Sequence, residues 1–221
     1  MSHSLNINQT IDQLKGIVGT ANVLTNKWSM QSYVKGWRYG EGEALAVAKP
    51  SSLLQMWNLL KLCVQKDIIV IMQAANTGLT GGSTPYGFDY DRPILIINTL
   101  LINDIHLIDK GKQIVGFSGS TLFELENKLS GCDREPHSVI GSSCVGASIV
   151  GGVCNNSGGA LVKRGPAYTE LSLYAQINHE GDLELVNNLG INLGESPEEI
   201  LMTLQDKKYQ EEDIQYPDKL A

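Results

Sequence analysis

Two glycine-rich segments of this chain have the composition of loops that bind phosphate through the main chain. The first, residues 73–83, is QAANTGLTGGS, and the second, residues 141–159, is GSSCVGASIVGGVCNNSGG. Small residues let a ligand approach the backbone, and consecutive N–H groups together with Thr and Ser hydroxyls form a concave anion site. Two such loops would suit the two ends of a long phosphate-containing cofactor, and structural turns are the alternative interpretation.

Other motifs for phosphate or catalysis are missing from the sequence. Gly-Lys at 111–112 is not a P-loop, because Gln113 follows it within a predicted turn. Gly-Glu-Gly at 40–42 lacks the third glycine of the Rossmann fingerprint, and Gly-Ser-Ser at 141–143 does not continue as GxSxG. The histidines show no metal-binding spacing, so no metal site is predicted. The four histidines are His3, His106, His137 and His179. We expect His106 and His179 to be solvated, and His137 to be a loop residue rather than a catalytic base.

Composition and charge exclude several classes of protein. The chain has 221 residues, 42% of them hydrophobic, with a formal net charge of −7, so it is expected to fold and not to bind nucleic acid. Eight acidic residues and three lysines within 195–221 predict an acidic, solvated segment. No transmembrane run or secretory signal is recognised, and the four cysteines form no CxxC pair. A location on the cytoplasmic side is therefore expected.

Hydrophobic periodicity predicts the elements that would position the two loops. Helices are expected over 10–18, over 53–65 with Ser51 as the cap, and over 121–129 with Ser120 as the cap. Strands are expected at 45–48, 68–72, 94–97, 105–109, 114–117, 171–177 and 183–186. The apolar run at 68–72 predicts a strand buried on both faces, and the first loop follows it directly. Strand, helix and strand thus form a βαβ unit in an α+β fold.

Three ordered motifs resemble the FAD-linked oxidases that share the flavin domain of p-cresol methylhydroxylase (PCMH) and vanillyl-alcohol oxidase. These motifs are the small-residue loop after a strand, the run from Leu107 to Glu126, and GGVCNNSGG at 151–159. Within the family, AANTGLTGGSTP, REPHSVIGSSCVGASIVGG, CNNSGG and KRGPAYTE resemble the respiratory branch that oxidises D-lactate with quinone as acceptor. The likeness runs over about residues 10–205. Ala-Ala-Asn at 74–76 in place of GGG, and Val150 within an IGG run, are features of that branch.

The resemblance implies an α+β, PCMH-type FAD-binding domain of two α/β subdomains. We expect this domain at 43–205, divided near residue 100, after a helical lead-in at 1–42 and before an acidic tail at 206–221. Chains of the family continue well beyond this length. The domain is therefore expected to be incomplete at its C-terminus, with the substrate-binding cap and the membrane-binding region absent.

The same resemblance implies which residues bind FAD. Seven residues of the first loop would wrap the pyrophosphate, and three of the second would line the rest of the flavin. They are Ala74, Ala75, Asn76, Thr77, Gly78, Gly82 and Ser83, then Gly141, Ser148 and Gly158. Covalent members attach the flavin through a histidine in the first loop. Because 73–85 contains neither His nor Cys, non-covalent FAD is predicted. Arg134, Lys163 and Arg164 would offset phosphate charge, or are simply exposed basic residues.

The implied reaction is oxidation of D-lactate to pyruvate, with electrons passing through FAD to membrane quinone. Catalytic residues are expected in the absent C-terminal part, so none is assigned here. Contact with the inner membrane is likewise expected only through that part. Two alternatives stay open: a non-catalytic remnant that binds FAD weakly or not at all, and a related FAD-linked 2-hydroxy-acid dehydrogenase.

Overall fold

A computed structural model describes residues 6–137, 142–158, 163 and 169–215. The chain divides into a first unit up to Leu101 and a second unit from Ile102 onward. Among the described residues, no helix combines the length and the apolar character needed to cross a membrane.

The first unit is a four-stranded sheet with three helices. In chain order its elements are α1 (Ile7–Val18), β1 (Val23–Leu24), α2 (Lys27–Met30), β2 (Ala46–Ala48), α3 (Leu53–Lys66), β3 (Ile69–Gln73) and β4 (Ile94–Asn98). The strand order is β1-β2-β4-β3, with β2, β4 and β3 parallel and β1 antiparallel to β2. The predicted βαβ unit is therefore present as β2-α3-β3.

Strand β4 is the centre of the core, and it is buried along its whole length. Leu95 and Ile97 pack in the cluster that contains residues of α1 and α3, whereas Ile94 and Ile96 pack with Met30. This alternation is the two-residue period of a strand covered on both faces. The run at 68–72 was expected to be such a strand. Val70 packs on one cluster and Ile69 and Ile71 on the other, so both faces are covered, but these residues are only partly buried and Met72 is 43% exposed. The burial is incomplete because β3 lies at the edge of the sheet, a position that an apolar run alone does not reveal.

In its described residues, the second unit contains two antiparallel hairpins and three α-helices. Its elements are β5 (Ile105–Ile108), β6 (Gln113–Gly116), α4 (Leu122–Ser130), α5 (Ile149–Cys154), β7 (Leu173–Ile177), β8 (Leu183–Asn187) and α6 (Pro197–Gln205). Strand β5 pairs with β6, and β7 pairs with β8 across the predicted turn at 179–182. Helix α4 packs on the first hairpin through Leu125 and Leu129.

Two helix caps lie one residue beyond their predicted positions. Ser52, not Ser51, caps α3, because its side chain accepts a hydrogen bond from the backbone N–H of Gln55 at 3.1 Å. Thr121, not Ser120, caps α4 in a reciprocal capping box with Glu124. Ser120 is fully buried and donates its hydroxyl to the carbonyl oxygen of Asp104.

The C-terminal segment was expected to be solvated, but part of it is buried. Helix α6 buries Ile200, Leu201 and Leu204. Its acidic residues lie in the first turn, where their negative charge interacts favourably with the helix dipole. Tyr209 is also buried, and its hydroxyl lies 2.9 Å from Nδ1 of His106. His106 is only 7% exposed, so the expectation that it is solvated was wrong.

Candidate cofactor-binding loops

The first glycine-rich loop begins where two neighbouring parallel strands end. Gln73 is the last residue of β3 and Asn98 the last of β4, and the two are paired in register. In open α/β sheets, ligands bind outside the carboxyl ends of the strands. The fold therefore places residues 74–85 at the carboxyl ends of the parallel strands, where a ligand is expected.

Two buried amides fix both ends of this loop. Gln73 is 3% exposed, and its Nε2 donates to the carbonyl oxygens of Tyr33 at 2.9 Å and Ser83 at 2.7 Å. Asn98 Nδ2 donates to the carbonyl oxygen of Ala74 at 2.9 Å and to Oε1 of Gln73 at 3.3 Å. The loop is thus closed at its base by side chains that the sheet itself holds in place.

Asn76 ties the middle of the loop to the preceding segment. Its backbone is left-handed, with φ at 55°, a conformation that asparagine tolerates better than most residues. Its Nδ2 donates to the carbonyl oxygen of Lys35 at 2.8 Å, and its Oδ1 accepts from Oγ of Ser83 at 2.8 Å. Two of the predicted site residues, Asn76 and Ser83, are therefore in direct contact.

The rim of the loop offers main-chain donors. Among the residues that the structure describes, the N–H groups of residues 77–82 donate to no protein acceptor. Gly78 and Gly82 are exposed, and a Cβ built on either would meet no atom within 4 Å. Segment 74–85 contains no lysine or arginine. Attraction for an anion would come from oriented N–H dipoles and from the Thr77 and Thr80 hydroxyls.

A groove of about 600 Å³ borders the same loop. Ala75 and Asn76 form one wall, and the other lining residues are Trp28, Gln31, Ser32, Lys35, Gly36 and Trp37. The Trp28 and Trp37 side chains are 87% and 67% exposed. The groove therefore presents apolar indole surface beside the polar rim of the loop.

Close backbone approach brings the segment before β2 against the end of the loop. Gly42 and Gly87 form an isolated parallel bridge. A Cβ on Gly42 would lie 2.5 Å from the Gly87 carbonyl oxygen and 2.8 Å from Pro85 Cβ. Only glycine fits at this position without a shift of the backbone.

The second glycine-rich segment lies in the second unit. Ser148 is buried and caps the short helix α5, its Oγ accepting from the N–H of Gly151 at 3.0 Å. The backbone N–H of Ile149 donates to Ser120 at 2.9 Å, which fixes the start of α5 next to α4. Gly158 is exposed with open space around its Cβ position, whereas Gly141 lies outside the described residues.

The structure describes two of the three basic residues that were considered for phosphate. Arg134 is exposed, and its Nε donates to the carbonyl oxygen of Lys110 at 3.1 Å. Lys163 is exposed, and Arg164 lies outside the described residues. In the described ranges, no group of three or more His, Cys, Asp or Glu residues is arranged to hold a metal ion.

Buried titratable groups with perturbed pKa values lie outside both loops. Burial raises the pKa of Cys63 in α3 to about 12 and that of Tyr209 to about 12. Burial, followed by the charge of Lys207, lowers the pKa of His106. Cys63, Tyr209 and His106 belong to neither glycine-rich loop, so none of them is a candidate acid or base there.

Sequence reasoning missed Gln73 and Asn98. A signal was available, because each is the polar residue that directly follows an apolar run predicted as a strand. Amides at the carboxyl ends of adjacent parallel strands meet at one edge of the sheet. The missing steps were the strand order, which makes these two strands neighbours, and the register, which pairs the two residues directly.

Comparison with known proteins identifies similar sequences and folds. No protein-family model matches the chain. Quinone-dependent D-lactate dehydrogenase of Haemophilus influenzae is 59% identical over 210 residues, which is 95% of this chain and 37% of that protein. The enzyme of that name from Escherichia coli is 54% identical over 96% of this chain and 37% of its own length. The one from Corynebacterium glutamicum is 46% identical over 93% of this chain and 36% of its own length. The chain thus spans just over a third of the length of these relatives.

Solved structures show the fold. Alkyldihydroxyacetonephosphate synthase superposes with a TM-score of 0.70 at 13% identity, over 87% of this chain and 38% of that one. p-Cresol methylhydroxylase superposes with a TM-score of 0.62 at 16% identity, over 86% of this chain and 36% of that one. The predicted α+β, PCMH-type fold is confirmed.

Proposed function

We propose that this chain, which is similar in sequence to quinone-dependent D-lactate dehydrogenases over 93 to 96% of its length, forms the FAD-binding part of an enzyme that oxidises D-lactate. The observation that carries the proposal is identity of 46 to 59% over 93 to 96% of the chain, an extent that takes in both glycine-rich segments. The product would be pyruvate, and the electrons would pass to a quinone in the membrane.

The residues of the first loop fit the pyrophosphate of FAD. Within the described ranges the N–H groups of residues 77–82 have no protein acceptor, and the glycines at 78 and 82 have open space, so this loop would suit an anion. In this proposal the pyrophosphate contacts Ala74, Ala75, Asn76, Thr77, Gly78, Gly82 and Ser83. The cofactor is held without a covalent bond, since 73–85 contains no His or Cys.

In the second unit, Gly141, Ser148 and Gly158 would line the rest of the flavin. Ser148 contributes there as a buried residue whose side chain caps the start of α5. The flavin domain would extend over 43–205, with a lead-in at 1–42 and an acidic tail at 206–221. FAD supplies the two-electron acceptor, and the residues of this chain bind and orient it.

The experiment that tests this function is an FAD titration of the purified chain. We expect saturable quenching of flavin fluorescence, and release of free FAD on denaturation because the bond is non-covalent. Absence of saturable binding would refute the proposal.

Anaerobic addition of D-lactate, glycolate or D-2-hydroxyglutarate to the loaded protein then tests the substrate. Bleaching by D-lactate alone supports oxidation of that substrate, and bleaching by another acid corrects the substrate. Bound flavin that no acid bleaches means that this chain alone does not oxidise these acids, a result that fits both an FAD-binding part and the non-catalytic alternative.

A further inference from the structure

We propose that Gln73 is a positioning residue for FAD, holding the first glycine-rich loop in the conformation that leaves the N–H groups of residues 77–82 available. This inference rests on the proposed function and deepens it. Gln73 touches no ligand in this account and acts through the loop that it closes.

The side chain of Gln73 uses all of its polar groups inside the protein. Both N–H bonds of its amide are engaged, one toward Tyr33 and one toward Ser83, and its Oε1 accepts from Asn98. Ser83 lies ten residues further along the chain, so a single hydrogen bond closes the base of the loop. Tyr33 belongs to the segment before β2 that also accepts from Asn76. One buried amide therefore joins the sheet edge, the loop and the preceding segment.

Only an amide satisfies these three partners at once. The position demands two donors toward carbonyl oxygens and one acceptor toward Asn98, and an ionised glutamate of the same shape supplies acceptors only. A glutamate would therefore set negative charge against two carbonyl oxygens in a site that is 3% exposed. When protonated, the same glutamate donates once and restores one of the two bonds.

The loop benefits from closure at its base because it is rich in glycine. Three of the ten residues between Gln73 and Thr84 are glycine, and glycine loses the most conformational freedom when it is ordered. A loop that is already closed binds its ligand without that cost, whereas an open loop must be ordered on binding. Loss of the Gln73 donors is therefore expected to weaken FAD binding and to loosen residues 74–85 before any FAD is added.

The test compares Gln73→Glu with wild type in the full 221-residue chain. FAD affinity is measured by fluorescence titration from mildly alkaline to mildly acidic pH, and amide hydrogen exchange of residues 74–85 is measured without added FAD. The matched control is Gln55→Glu. Gln55 Oε1 accepts from the N–H of Ser51 at 2.8 Å, and a carboxylate can keep that bond.

We expect Gln73→Glu to weaken FAD binding at least roughly tenfold at alkaline pH, because both donor bonds are lost and each is worth up to about a factor of ten. Its affinity relative to wild type should recover in part as the pH falls, because burial raises the pKa of a carboxyl group and protonation restores a donor. Exchange in 74–85 should be faster than in wild type while β4 stays protected, and Gln55→Glu should match wild type. Wild-type protection of β4 distinguishes loosening of the loop from a general loss of stability, which would speed exchange in β4 as well.

Equal affinity and equal loop exchange in Gln73→Glu and wild type would overturn the inference. If Gln73→Glu does not fold, Gln73→Met is measured in its place, with the same expected loss and faster exchange but no acid recovery; wild-type behaviour of that variant would also overturn the inference. Failure of wild type to bind FAD refutes the proposed function instead. The exchange comparison still decides whether Gln73 orders the loop.

Discussion

The buried contact between His106 and Tyr209 gives a prediction whose size follows from the structure. The Tyr209 hydroxyl lies 2.9 Å from Nδ1 of His106, and both residues are 7% exposed. Phe117 lies beside the imidazole, with ring centroids 5.1 Å apart. Replacing Tyr209 with phenylalanine keeps the ring and removes only the hydroxyl, so the imidazole loses the partner that the structure shows.

The expected cost is about 1–3 kcal/mol in the free energy of unfolding, the usual penalty for leaving a buried polar group without its partner. Denaturant unfolding followed by circular dichroism at neutral pH measures it. Tyr174→Phe is the matched control, because Tyr174 is 40% exposed in β7, and it should change stability by less than about 0.5 kcal/mol. Equal stability of Tyr209→Phe and wild type would refute the account of this contact.

The same contact predicts the pH dependence of stability. Burial is the main cause of the lowered His106 pKa; Lys207 and Lys128 lower it further, and Asp104 opposes them. The unfolded chain therefore binds a proton more readily than the native one. This contribution to stability is complete above the unfolded pKa of about 6.5 and is lost as the pH falls toward the native pKa. His106→Asn, which keeps a polar atom near Nδ1 but cannot titrate, should lose this acid-side decline; an unchanged decline would contradict the assignment.

Three further predictions concern the loops and the core. Gly78→Glu places a carboxylate on the open rim of the first loop and should weaken FAD binding roughly tenfold or more in a fluorescence titration, because like charges repel in a partly desolvated site. Gly16→Glu makes the same change on open surface of α1 and should not; equal affinities would contradict the rim site. Gly42→Ala should lower the free energy of unfolding by about 1–3 kcal/mol, since its Cβ would lie 2.5 Å from a carbonyl oxygen, and an unchanged melting temperature would argue against this close approach. Cys63 is buried with a pKa of about 12 and should react with a thiol reagent only on unfolding, whereas the exposed Cys144 should react in the native protein; rapid native labelling of Cys63 would contradict its burial.

Local sequence predicted most elements, because helix and strand periodicities depend on neighbours along the chain. The helix expected at 53–65 is α3, and the strand expected at 94–97 is β4. The caps moved by one residue, since in S-S-L and S-T-L sequences either hydroxyl fits the pattern and the local backbone decides which one caps. Such errors are small because capping is a local choice.

Features that depend on distant residues could not be predicted in the same way. The edge position of β3 follows from strand order, which no local pattern contains. Burial of His106 depends on Tyr209, which lies 103 residues away in sequence. The role of Gln73 depends on carbonyl groups of Tyr33 and Ser83, and a carbonyl is the same for any residue type.

We expect this chain to bind FAD through its first glycine-rich loop, and equilibrium titration of FAD against wild type, Gly78→Glu and Gly16→Glu measures that binding. Wild type and Gly16→Glu should bind FAD saturably, and Gly78→Glu should bind it clearly more weakly. Equal binding by all three proteins, or no binding to wild type, would mean that the first loop does not hold FAD.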